Sequence, residues 1–291
     1  MNTLEVLPSQ YHSALGLDRG DIFNPDSYLS KSTIWELYQS SLFKWRNYPR
    51  QFKPTPAMSW GSLVDCLVTS PDDFENQFVM SPFDSFRTKE AKQWKEDCTQ
   101  DIVTVDMVAK AEHAVSVLTS CHKVAAEIIE RSQTQVVLLN KIQHPASEKT
   151  VNMKALLDFA PEGVDYLADL KTCHDFTANG FEKAIGNFGY HVQAAHYLSM
   201  WNMQHPDDQR DRFLIIWQDS AAPYEVAVTE IPGADIADGA DLFNHLLGRI
   251  VRAADKDDWP MQYTKPILLG RAAYAAINEG IEMDGYSTVN S

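Results

Sequence analysis

Residues 156–172 read LLDFAPEGVDYLADLKT. The stretch consists of two β-like runs separated by Pro161, Glu162 and Gly163, residues that favour a hairpin turn. Alternate residues of a strand face the same side, so Asp165, Leu167, Asp169 and Lys171 share a face. If Glu162-Gly163 forms a two-residue loop, 161 pairs with 164, 160 with 165 and 158 with 167. Asp158 then lies on the face of Asp169 and Lys171, diagonal to Asp169 at about 7–8 Å between Cα atoms. Two carboxylates so placed can share one divalent cation, and the lysine can reach a water bound to it. Hydrolysis of a phosphodiester needs those parts: hard oxygen ligands for Mg²⁺, an acidified water and a compensating positive charge. Without a metal, the same residues make an exposed sheet face with salt bridges.

The pattern on either side suggests a mixed α/β chain. Ile34, Leu37, Tyr38 and Leu42 recur at helical steps, with Ser30 or Ser32 as a cap, and one helix is expected from there to Arg46. A second helix ends at Pro71, and residues 88–132 read as largely helical and solvated. Further strands are expected at 133–142, 151–160, 164–172, 212–219 and 224–231. Helices are expected over 178–204, interrupted near Gly186 and Gly189, and over 234–255. Helices followed by strands with a crossover helix imply a mixed sheet flanked by helices, with a helical N-terminal part.

Composition narrows the function. The 291 residues are 44% hydrophobic, enough for a sizeable core. The formal charge of −15, from 40 acidic and 25 basic residues, argues against nonspecific coating of nucleic acid. Any DNA contact must use a local basic surface or metal ions. No apolar run of about 18 residues suggests a membrane span, and the N-terminus does not read as a signal peptide. Cys66, Cys98, Cys121 and Cys173 are too scattered for a zinc or iron–sulfur clip and read as reduced cytosolic thiols.

Downstream, YHVQAAHYLSM (190–200) puts Tyr190, Gln193 and Tyr197 along one helix face. They read either as buried polar groups with local partners or as groups that orient a phosphate or Lys171. Lys44, Trp45 and Arg46 read either as part of a basic, aromatic DNA groove or as a solvated helix end.

Asp158, then Asp169-Leu170-Lys171, then Gln193-x-x-x-Tyr197 resembles the PD-(D/E)xK nuclease superfamily, and within it the RecE-type exonucleases of phages and prophages (exodeoxyribonuclease VIII-like). LSKSTIWELYQSS (29–41), AMSWGSLVDCLVTSP (57–71), residues 169–197 and DDWPMQYTKPILL (257–269) are similar to segments of that branch, so the likeness covers about residues 28–270. It implies a nuclease domain over 28–270, an N-terminal extension over 1–27 and a tail over 271–291.

The resemblance also implies roles. Asp158, Asp169 and the backbone carbonyl of Leu170 would hold Mg²⁺, with Mn²⁺ as a substitute. Asp65 would stand where many relatives carry a histidine ligand. Lys171 would be the catalytic lysine, and Gln193 and Tyr197 the supporting pair. Ser30 and Ser32 would stand where relatives recognise a DNA end, with a helix cap as the competing reading; from the residues themselves, Thr172 reads either as a DNA phosphate contact or as a strand-end cap, and Tyr190 either as a DNA contact or as a buried polar group. The activity implied is exonucleolytic hydrolysis of duplex DNA from an end in the 5′→3′ direction. The implied setting is a ring-shaped homo-oligomer in the bacterial cytoplasm that works with an annealing protein or recombinase. The alternatives are a silent DNA- or protein-binding module of the same fold, and a nuclease of other polarity or endonucleolytic action. A two-carboxylate glycosidase would need neither Lys171 nor the Gln-Tyr helix.

Overall fold

The computed structural model describes Pro8 and residues 11–49, 54–83 and 85–265. The tail over 271–291 and residues 266–269 of the closing aromatic-proline segment lie outside the described residues.

In chain order the elements are α1 (Tyr11–Ala14), β1 (Tyr28–Leu29), α2 (Lys31–Tyr38), α3 (Leu42–Asn47), α4 (Pro56–Thr69), α5 (Phe74–Gln77), β2 (Phe78–Met80), α6 (Lys89–Asp97), β3 (Asp101–Val103), α7 (Val105–Ser120) and α8 (Lys123–Arg131). There follow β4 (Ser132–Gln143), β5 (Thr150–Pro161), β6 (Tyr166–Cys173), α9 (Ala178–Phe188), α10 (Tyr190–Gln204), β7 (Arg212–Asp219), β8 (Val226–Glu230) and α11 (Gly233–Lys256). No described helix is long and apolar enough to cross a membrane. The four cysteines are free thiols.

The main sheet is mixed. β5 pairs antiparallel with β4 and β6, β6 pairs parallel with β7, and β7 pairs antiparallel with β8. Two apolar clusters cover its faces. One gathers Ile34, Trp35 and Leu37 of α2 with Val192 and Leu198 of α10 and Leu246 and Ile250 of α11. The other gathers Leu63 and Val64 of α4, Leu118 of α7 and Ile128 of α8 against Phe159, Ala168 and Leu170.

A strand has two edges. β4 occupies one edge of β5 from Thr150 to Pro161. β6 meets β5 where Phe159 faces Ala168, whereas β1 pairs with Asn152 and Met153. β6 and β1 therefore share the second edge, and β5 and β6 part beyond Asp158. The Leu170 amide donates to the Asp158 carboxylate at 3.0 Å, so a side chain takes a ladder hydrogen bond.

The register differs from the two-residue hairpin reading. Pro161 ends β5 and Tyr166 begins β6, so four residues make the turn. Gly163 supplies a left-handed backbone at φ +68°. Arg131 fastens the turn on one side, its Nη2 donating to the Glu162 carbonyl at 2.7 Å. On the other side the Asp165 carbonyl accepts from Asp211 and Arg212, and its carboxylate pairs with Arg212. These bonds draw Val164 and Asp165 out of the ladder. Extended from the Phe159–Ala168 pair, the register puts Asp158 directly opposite Asp169 rather than diagonal to it.

The helix expected from residue 30 to Arg46 is two helices. Ser41 has an extended backbone and its hydroxyl accepts from Lys44 N, so it caps α3 and ends the continuous pattern. Gly189 separates α9 from α10 at φ +63°, and a Cβ there would lie 2.8 Å from the Trp35 ring. Gly189→Ala combines a strained backbone with an overpacked contact. We expect it to cost about 2–4 kcal/mol in urea unfolding. An unchanged midpoint would show that α10 does not depend on this approach.

Candidate active site

Leu167 sits in the core with Phe213 and Ile215, and the strand alternation carries Asp169 and Lys171 onto the same face. Lys154, Leu156 and Asp158 alternate along β5 in the same way. These two rows meet in a cavity of about 500 Å³, which Ser30, Lys31, Ser32, Gln193 and Tyr197 also line. The region 11–17 closes one wall through Tyr11, Leu15, Gly16 and Leu17. Lys154 fixes that wall, its amine donating to the carbonyls of Tyr11 at 3.1 Å and Leu15 at 2.5 Å. Burial drives the Lys154 amine down to about 8.

Asp169 is buried and fully engaged by protein groups. Gln193 Nε2 donates to its Oδ1 at 2.6 Å, and Lys171 Nζ pairs with its Oδ2. Burial is the largest influence on Lys171 and opposes its charge, but Asp169 and Asp158 outweigh it and hold the amine well above its usual range. Lys171 is therefore a cation here.

Asp158 is raised well above the ordinary carboxylate range, first by burial and then by the charges of Asp169 and Asp65. Asp65, on α4, does not line the cavity but belongs to the same cluster. Burial and Asp169 push it to about 6, against the pull of Lys171 and a hydrogen bond from Gln135. Its Oδ1 is buried without a hydrogen-bond partner among the described residues.

Among the described residues, no three of His, Cys, Asp and Glu stand close enough together to make a metal cluster as placed. The donor chemistry still suits a hard divalent cation: three carboxylates repel one another in a buried place, and one of their oxygens lacks a partner. Asp65, Asp158 and Asp169 are the residues that could hold it. The Leu170 amide donates to the Asp158 carboxylate.

The other expected residues divide. Ser30 caps α2 through a reciprocal pair with Thr33, and both it and Ser32 line the cavity. Tyr190 opens α10 with its ring 5.1 Å from Lys171 Nζ. Thr172 alternates away from Lys171 toward α4, where its hydroxyl would meet a Cβ at Gly61 at 3.1 Å. Tyr197 faces the cavity, and burial above all holds its phenol far above its usual range.

Trp45 does not contribute to a DNA groove. It is fully buried, donates to the Thr33 carbonyl at 2.7 Å and stacks on Trp259. Its ring went into the core because α2 and α3 fold against one another.

Two site residues had no sequence signal. Gln135 has φ +52° in β4, and it bonds Asp65 and Thr69. Lys154 reads as an ordinary strand lysine until the N-terminal region covers it.

His196 is a buried histidine. It stacks on Phe243 at 4.7 Å, and its Nε2 lies 3.1 Å from the Lys154 carbonyl, so the neutral ring donates there. Burial lowers it from 6.5 to about 4, against the pull of that bond. A depressed histidine means that the unfolded chain binds the extra proton first. Its contribution is complete above pH 6.5 and is lost as pH falls toward 4, a loss of about 3 kcal/mol. We expect denaturant unfolding to show this slope, and His196→Phe to reduce it by one proton. An identical slope in the variant would exclude His196 as its source.

The model of a family described as a PDDEXK-like domain of unknown function (DUF3799) matches residues 40–266. This chain belongs to that family. Its mixed α/β fold is thus of the PDDEXK nuclease kind, in line with the resemblance carried by Asp158, Asp169 and Lys171. Among solved structures, a protein from Eubacterium rectale described as a "Putative exonuclease" is similar at a TM-score of 0.59 with 14% identity, over 96% of this chain and 100% of that one. A phage related exonuclease from Haemophilus somnus 129PT aligns at a TM-score of 0.29 with 11% identity, over 87% and 96% of the two chains. The curated proteins gave no match.

Proposed function

We propose that this chain is a Mg²⁺-dependent exodeoxyribonuclease that hydrolyses phosphodiester bonds from the ends of duplex DNA. The observation that carries the reading is Asp158 opposite Asp169 where β5 and β6 part, with Lys171 on Asp169 and all three facing one cavity. The name of the Eubacterium rectale protein is in keeping with it.

A bound divalent cation would polarise a phosphate oxygen and acidify a water. Asp65, Asp158 and Asp169 would hold that cation. Gln193 keeps the Asp169 carboxylate oriented by its 2.6 Å bond. Lys171, charged and at the cavity wall, offsets charge developing on the phosphate and donates to the attacking water. Its upward pull comes from Asp169 and Asp158, so neutralising those carboxylates lowers the lysine toward a value at which it can also accept a proton. Ser30, Lys31 and Ser32 place donors along the same wall for the strand's phosphates. The 5′→3′ direction, a ring of identical subunits, an annealing or recombinase partner and a cytoplasmic phage or prophage setting belong to the same reading, supported by the RecE-type resemblance.

The test is incubation with end-labelled linear duplex and with covalently closed circles, with and without Mg²⁺. Loss of linear DNA alone, and only with metal, is expected. Digestion of circles at the same rate would make the enzyme an endonuclease, and no digestion at all would leave a silent module. Labels on the 5′ or 3′ end then report polarity.

A further inference from the structure

Five side chains make a continuous arc away from the cavity. Lys171 Nζ lies 5.1 Å from the Tyr190 ring, and Tyr190 stacks on Phe188 at 5.7 Å. Lys31, which lines the cavity, lies 5.9 Å from the Tyr190 ring and 5.4 Å from the Trp35 ring, and donates to the Phe188 carbonyl. Trp35 stacks on Tyr38 at 4.4 Å. The two ends of the arc, Tyr38 and Phe188, are 55% and 58% exposed. Isolated exposed rings need no explanation. These two are joined through rings and the Lys31 amine to the wall that carries Lys171. The chain has a net charge of −15, yet the arc contains Lys31 and no carboxylate.

We propose that the exposed rings of Tyr38 and Phe188, backed by Trp35, Lys31 and Tyr190, form a stacking platform for the unpaired bases of a single DNA strand whose phosphates enter the cavity. This rests on the nuclease reading above. A 500 Å³ cavity is of small-ligand size, so one strand can enter it and a duplex cannot. Bases released from pairing expose their faces, and aromatic rings take such faces regardless of sequence. Rings beside a phosphate-facing lysine match that chemistry. An acidic or purely apolar protein surface would leave either the rings or Lys31 without a complement.

The test uses the full-length protein in EDTA, so that nothing is cleaved. An oligothymidylate with 2-aminopurine in place of one base reports affinity by anisotropy and stacking by emission. Wild type is expected to bind it and alter the emission. The Tyr38→Leu/Phe188→Leu double variant keeps exposed apolar area but loses both ring faces. It should bind about 5- to 150-fold more weakly, the range for one stacked base, and lose the emission change. Unaltered affinity in the double variant, or no binding of the single strand by wild type, overturns the platform. The two readings separate. Weakened binding by the variant in a protein that hydrolyses nothing with Mg²⁺ keeps the platform and removes the nuclease. Hydrolysis with unaltered affinity does the reverse.

Discussion

Lys171→Met is expected to lower single-turnover hydrolysis of linear duplex by about 10²–10⁴-fold, the range for losing a positioned proton-transfer or charge-stabilising group. Methionine keeps the length and apolar stem and removes only the charge. The variant should also be less stable at pH 8, by about 1–3 kcal/mol. The figure lies below that for a fully buried pair because the Lys171 side chain is 21% exposed. The cause is specific: Asp169 and Asp158 lose the cation that outweighs its own burial. The Asp158 carboxyl, already raised by burial and by neighbouring carboxylates, is then pushed further up. A raised carboxyl favours folding below its unfolded value and disfavours it above its folded value, so the stability deficit should shrink toward pH 5. Lys171→Arg keeps charge but not the compact amine, and separates a need for charge from a need for that amine's geometry. Wild-type rates in Lys171→Met would remove Lys171 from the chemistry, and with it the reading of the β5–β6 opening as an active site.

Mg²⁺ should act on stability as well as on rate. Asp65 and Asp158 are both raised by burial and by neighbouring carboxylates, so the apo protein carries repulsion that a divalent cation relieves. At about 100 times the dissociation constant, binding contributes about 2.7 kcal/mol. In a domain of this size that is a rise in Tm of about 5–10 °C. Asp158→Asn should abolish most of this rise. It should also make the apo protein more stable than wild type at pH 8, because one member of the repelling set is gone and the asparagine oxygen can still accept from the Leu170 amide. An apo variant less stable than wild type, or an undiminished response to Mg²⁺, would mean that the cation binds elsewhere. Hydrolysis undiminished by EDTA would remove the metal from the mechanism.

Period-two alternation was enough to put Asp169 and Lys171 on one face of β6, and four-residue spacing was enough to align Gln193 with Tyr197 on α10. Gly189 was legible as a break because left-handed backbone favours glycine. These are local consequences of backbone geometry. Tertiary structure decided the rest. Arg131 and β7 pull on the turn at 162–165, which moves Asp158 from a diagonal to a direct neighbour of Asp169. The nearness of Asp65 depends on how α4 packs over the sheet, and on Gln135 adopting a conformation that a strand pattern does not foretell. Trp45 and His196 are polar-tipped rings that sequence leaves free to face water or core. Partners distant in the chain, Trp259 and Phe243, settled both inward. Spacing along a chain fixes which side chains share a face, whereas depth and register depend on contacts with residues far away in sequence.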